Sequence, residues 1–141
     1  MIKNTLLFTL LLLPFIGISQ TGSTAVLGTW LTEIEDAKVE IYQKQGKFYG
    51  RVVWIAEPND EDGNPKIDEN NPNEKLNKRP IMGIDILTDF TYDDGEWSGG
   101  FIYDPKDGEV YECKFWLEDG DLKVRGYLGW LFDTKTWTKV K

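Results

Sequence analysis

Three Asp-Gly pairs punctuate the second half of the chain at near-even intervals, and they narrow the fold more than any other feature. Asp94-Gly95, Asp107-Gly108 and Asp119-Gly120 set their glycines 13 and 12 residues apart. Asp-Gly closes tight turns because glycine accepts φ > 0 and aspartate tolerates it. The stretch Glu96 to Leu117 therefore reads as strand, turn, strand, with Asp104-Pro105-Lys106-Asp107-Gly108 as the turn. Its flanks are rich in aromatic and β-branched residues, which suit a half-buried pleated surface. This is the spacing of consecutive hairpins in a meander.

The same pattern extends both ways. Leu27 to Leu31 is the first strand expected, and Ala37 to Lys44 alternates with Val39 and Ile41 on one face. Gln45-Gly46 turns the chain into Lys47 to Ala56. There Phe48, Gly50, Val52 and Trp54 share one face, and Tyr49, Arg51, Val53 and Ile55 the other. A strand resumes at Ile81, where Met82, Ile84 and Ile86 alternate with Gly83 and Asp85. Tyr92 to Gly95 forms the next turn. Leu122, Val124, Gly126 and Leu128 share a face further on, Gly129 to Asp133 turns again, and Thr134 to Val140 is the last strand. About eight strands and no convincing helix result. The expected fold is all-β, an antiparallel up-and-down barrel of about eight strands, which removes exposed sheet edges.

Glu57 to Pro80 interrupts the pattern with four prolines and many Asp, Asn and Glu. It is a loop, and loops beyond about 12–15 residues are usually functional or disordered.

The first residues differ from the rest. Lys3 precedes an apolar run from Leu6 to Ile18, and Gly17-Ile18-Ser19 offers small residues at a cleavage site. Residues 1–19 match a signal peptide cleaved near Ser19-Gln20, with 20–26 as a flexible segment and 27–141 as a single domain. Export to the periplasm or the exterior is the expected localisation, with no integral membrane segment in the mature chain. Removing Lys3 takes the net charge from −8 to −9. That balance argues against nucleic acid as a partner. The chain has one cysteine, Cys113, so no internal disulfide forms.

Several runs carry a resemblance. Gly28-x-Trp30 with Arg125 shortly before Trp137 is similar to the calycin, or lipocalin-like, signature, in which an N-terminal tryptophan packs under an arginine from the end of the barrel. A fuller set is Gly50-x-Val52-x-Trp54, Asp68-x-x-Asn71-Pro72, Arg79-Pro80-x-Met82-Gly83, Trp97-x-x-Gly100-x-Ile102-Tyr103-Asp104-Pro105-x-x-Gly108-x-x-Tyr111 and Leu122-x-Val124-Arg125-Gly126-Tyr127. It resembles the secreted bacterial family called domain of unknown function 2147 (DUF2147). The resemblance implies a calycin-like barrel and export, with Gly28 and Trp30 at the barrel base. It implies no reaction.

The residues themselves set out few chemistries. The chain has no histidine, so the commonest general base and metal ligand is missing. Cys113 sits mid-strand among Tyr111, Phe115 and Leu117 and reads as a buried thiol. No catalytic residue and no cofactor is expected, and a carboxylate-based hydrolase is the outlying reading. Asp60, Asp62 and Asp68 are a weak calcium candidate, although the EF-hand template fails because Pro58 stands where an oxygen ligand belongs. Asp68, Asn71 and Arg79 either pin the long loop by turn hydrogen bonds or form a lid.

Aromatics give the strongest hint. Six Trp and six Tyr in 141 residues either fill a barrel core or line a pocket. Glycines within strands, such as Gly50, Gly100 and Gly126, leave room for neighbours or for a ligand. The candidate ligand residues are Arg51, Trp54, Trp97, Phe101, Tyr103, Tyr111, Arg125 and Tyr127. Two functions compete: a non-enzymatic barrel binding a small apolar or amphipathic molecule, and a solid interaction barrel of the cell envelope that works through the acidic Glu57–Pro80 loop.

Overall fold

A computed structural model describes residues 22–141. Eight strands follow the turn signals: β1 (Gly28–Leu31), β2 (Ala37–Lys44), β3 (Lys47–Ile55), β4 (Asp85–Asp93), β5 (Glu96–Asp104), β6 (Glu109–Glu118), β7 (Asp121–Leu128) and β8 (Leu131–Lys139). Each pairs antiparallel with the next. β8 returns to β1 through Trp30↔Lys139 and Leu31↔Thr138, and the sheet closes into a barrel.

The two ends differ. Gln45-Gly46, Asp94-Gly95 and Asp119-Gly120 each connect strands with two residues at positive φ. That is the primed turn whose twist matches the flanking strands. All three lie at one end. Behind them the barrel is packed solid with aromatic rings. Trp97 stacks on Phe115 with centroids 5.6 Å apart, Phe115 meets Phe90 at 4.6 Å, and Phe48 meets Trp97 edge-on at 6.1 Å. The opposite end carries the β1–β2 loop, the long β3–β4 connection and the β5–β6 and β7–β8 turns.

The expected signal peptide over 1–19 and its cleavage point lie outside the described residues. Part of the expected flexible segment 20–26 does not: Ser23–Val26 form a 3-10 turn. Val26 is buried, and its carbonyl accepts the Trp30 Nε1–H bond at 2.9 Å. This bond and the burial of Val26 tie the segment to the barrel. Over the ring face of Trp30 lies Lys139 Nζ, 4.7 Å from the ring centre, which also donates to Leu27 O at 2.8 Å. The expected arginine is thus a lysine from β8. Gly28 belongs to the same corner, because a Cβ there would meet the Lys139 side chain.

Two boundaries and one register depart from the sequence pattern. β4 begins at Asp85, not Ile81, because residues 81–84 turn back on themselves. Ile84 N–H donates to Ile81 O and Gly83 N–H to Val52 O, leaving Met82 exposed. Within β4, Asp89 takes φ +64 and the register against β3 shifts, so Leu87 and Phe90 both face inward. The turn expected over Gly129 to Asp133 shrinks to Gly129-Trp130, and β8 starts at Leu131.

A candidate ligand cavity at the open end of the barrel

The closed half of the barrel is full, and the open half is not. A cavity of about 1050 Å³ enters from the open end. Trp137, Val124 and Val52 lie deep in it, and Ile55, Ile86 and Ile102 line its wall. These side chains come from β3, β4, β5, β7 and β8, so the pocket exists only once the barrel has closed. Gly126 helps to open it. A Cβ there would find only Ile102 Cγ2 and Tyr111 Cβ, both at 3.9 Å. Gly50 and Gly100 serve the opposite purpose: Leu87 and Phe90 occupy the space that their side chains would take.

The rim is polar and tied together. Lys106 Nζ in the β5–β6 turn bonds Asp36 Oδ2 in the β1–β2 loop at 2.7 Å, and Thr32 Oγ1 donates to Asp36 Oδ1 at 2.7 Å. Partial burial opposes ionisation of Asp36, but these bonds outweigh it and hold the carboxyl below its ordinary value. Lys66 pairs with Glu57, and Lys135 with Asp133 and Glu33. Tyr111 and Tyr103 reach the cavity with their hydroxyls already engaged. Tyr111 Oη–H donates to Asp107 Oδ2 at 2.5 Å, and that bond with desolvation raises its pKa to about 12. Tyr103 Oη–H donates to Asp68 Oδ1 at 2.5 Å, and desolvation with this bond raises it to about 12. Both stay protonated across any physiological pH.

Asp68 fastens the long β3–β4 connection beside the mouth. It is fully buried and accepts from Tyr103, from Asn71 Nδ2 at 2.9 Å and from Arg79 Nε at 3.0 Å. The backbone closes the same knot, with Asp68 N–H donating to Arg79 O and Asn71 N–H to Asp68 O. Asn70 Nδ2 reaches the Pro105 and Lys106 carbonyls across the seam. The segment expected as a lid or a pinned loop is a strap, pinned to β5 and to the β5–β6 turn.

The DUF2147 family, described as an uncharacterized protein conserved in bacteria, matches residues 28–139. The chain belongs to this family. A solved structure of a Helicobacter pylori protein, described as belonging to the lipocalin family, is similar to this chain at 26% identity. That match covers 82% of this chain and 83% of the other, with a TM-score of 0.71. No curated protein matches. The DUF2147 barrel is thus lipocalin-like. Among the described residues no helix is long and apolar enough to cross a membrane.

Of the eight candidate ligand residues in this DUF2147 chain, Tyr103, Tyr111 and Tyr127 border the cavity. Trp54 does not. Register slips between Lys38 and Val39, so Val39 faces Val52 while Lys38 faces Trp54. Val53 is the extra residue of a bulge, which turns Trp54 outward under Lys38 and Ile55 inward. Arg51 lies on the outer face, 3.2 Å from Glu40 and over the Tyr42 ring. Phe101 is also outward and 41% exposed. Trp97 belongs to the packed half. Arg125 bonds Thr134 outside the barrel and covers the Trp116 and Phe132 rings, so it does not reach Trp30. The calcium candidates do not converge either. Asp60 caps the N–H groups of Asp62 and Asn64, while Asp68 is committed to Arg79 and Tyr103. Among the described residues no group of three metal-ligating side chains comes together.

The sequence reading missed Ile55, Ile86, Ile102 and Trp137. A signal existed for the floor, since Val124 and Gly126 share a face in β7.

Proposed function

We propose that the protein is an exported, non-enzymatic carrier that holds a small apolar or amphipathic molecule in the open half of its barrel. The observation that carries this reading is the apolar cavity of about 1050 Å³. Pockets for small ligands run to about 300–1,000 Å³, with apolar walls and few polar groups. Eight-stranded barrels are wide enough to hold one small ligand. The likeness to a lipocalin-family structure supports the same reading, and the Lys3-to-Ser19 pattern supports export.

The test is titration of the protein, recovered after export, with an apolar fluorophore, alongside native mass spectrometry and solvent extraction of any bound molecule. Gly126→Leu fills space that the structure leaves open. It should weaken fluorophore binding by about ten-fold or more, given the burial of a leucine-sized volume, with an unchanged melting temperature. Equal binding by both proteins would move the ligand elsewhere. A protein that binds no fluorophore and carries no extractable adduct would reject the carrier reading.

A further inference from the structure

The β7–β8 turn is apolar where a turn is ordinarily polar. Leu128-Gly129-Trp130-Leu131-Phe132 forms the tip, and Trp130 is 88% exposed. Leu128, Leu131 and Phe132 are each more than half exposed. Beside them stands Ile34 of the β1–β2 loop, 65% exposed. That loop is clasped to β8, since Glu33 Oε1 accepts from Thr136 N–H at 3.0 Å and Glu33 pairs with Lys135. Ile34, Leu128, Leu131 and Phe132 also line the cavity. The apolar tip therefore reaches the cavity mouth, where the rim also carries Glu33, Asp133 and Lys135.

We propose that this tip docks onto a lipid bilayer with neutral, zwitterionic headgroups. Two observations choose this occupant over a second protein chain. The exposed patch is small: the four apolar side chains of the tip and Ile34, each only partly exposed, together present roughly 500–600 Å². A stable protein interface needs about 800 Å² per partner. A soft interface accepts a narrow wedge, and tryptophan favours the headgroup level because its ring is apolar and its N–H is polar. Charge then selects the headgroup. The nearby bases are Lys135, spent on Asp133 and Glu33, and Arg125, which bonds Thr134 and lies 4.2 Å over the Phe132 ring; with Glu35, the three carboxylates outnumber them. An anionic surface would be repelled. If the carrier reading holds, docking places the cavity mouth against the source or sink of an apolar cargo. Docking itself needs no cargo.

The experiment is co-sedimentation of the exported protein, its N-terminus verified by mass, with phosphatidylcholine vesicles and with vesicles containing phosphatidylglycerol. The wild-type protein should bind phosphatidylcholine vesicles more strongly than the anionic ones. Trp130→Ala should lower that binding about ten-fold, the loss expected for one large apolar side chain, while Trp130→Phe retains most of it. Fluorophore binding in solution should be unchanged in both variants, which separates this proposal from the carrier reading. Absence of vesicle binding, or equal binding by Trp130→Ala, would overturn it. So would a wild-type dimer in sedimentation analysis that Trp130→Ala dissolves, because the tip would then be a protein interface.

Discussion

Asp68 shows what one residue settles at this mouth. Its carboxylate is the shared acceptor of Tyr103, Asn71 and Arg79, and none of it is exposed. A buried charge is retained only when paired and hydrogen-bonded. Asp68→Asn removes the charge and puts an NH2 donor where an acceptor is needed. Arg79 is 35% exposed and can turn to water, so the cost should fall below that of stranding a buried charge. A loss of about 1–3 kcal/mol is expected, the range for a broken buried hydrogen-bond network. It should appear as a lower denaturant midpoint and faster proteolysis within residues 57–80. The Asp68–Arg79 pairing was visible as one option in the sequence, since Asp and Asn before proline build turns. Its burial was not visible, because Tyr103 reaches Asp68 from a strand 35 residues away.

At the scale of elements, the turns at the two ends have different duties. Gly120 sits at φ +85 in open space, so its turn needs only the backbone freedom of glycine. Gly108 sits at φ +72 with the Asn70 carbonyl directly over its Cα. The β5–β6 turn is therefore shaped to receive the strap. Alanine at either site costs about 1–2 kcal/mol for the left-handed backbone. Gly108→Ala should lose about 1–3 kcal/mol more than Gly120→Ala from the added steric clash, as read by urea denaturation. Only Gly108→Ala should expose the β3–β4 connection to protease. Equal losses would mean that the strap is not seated on the turn. The Asp-Gly spacing made both turns legible, because turn chemistry is local. Their difference depends on Asn70, which no local pattern connects to Gly108.

For the whole molecule, stability should depend on pH at the alkaline edge. Burial raises the Cys113 thiol from 9.0 to about 12, and desolvation with the Asp68 bond raises Tyr103 from 10.0 to about 12. Each group holds its proton more tightly folded than unfolded, so unfolding releases protons once the pH passes the unfolded value. Stability from these groups is complete below about pH 9 and lost as pH rises towards 12. The chain has no histidine, so little should change between about pH 6 and 8. Denaturant midpoints measured at pH 7, 8, 10 and 11.5 check both parts. Alkylation of Cys113 should track unfolding rather than thiol ionisation.

The number, order and antiparallel pairing of the strands were determined by the sequence alone. Alternation and tight-turn chemistry act over a few residues, and a meander pairs each strand with its neighbour. The packing of aromatic side chains was also legible in kind, as one of two readings. Only the tertiary structure decided that both readings hold at once, with Phe48, Phe90, Trp97 and Phe115 filling one half and an apolar cavity occupying the other. It also decided that Trp54 points outward, because one bulge residue, Val53, reverses every side chain after it. These outcomes depend on volumes and registers meeting across the closed barrel, a balance that no single strand contains.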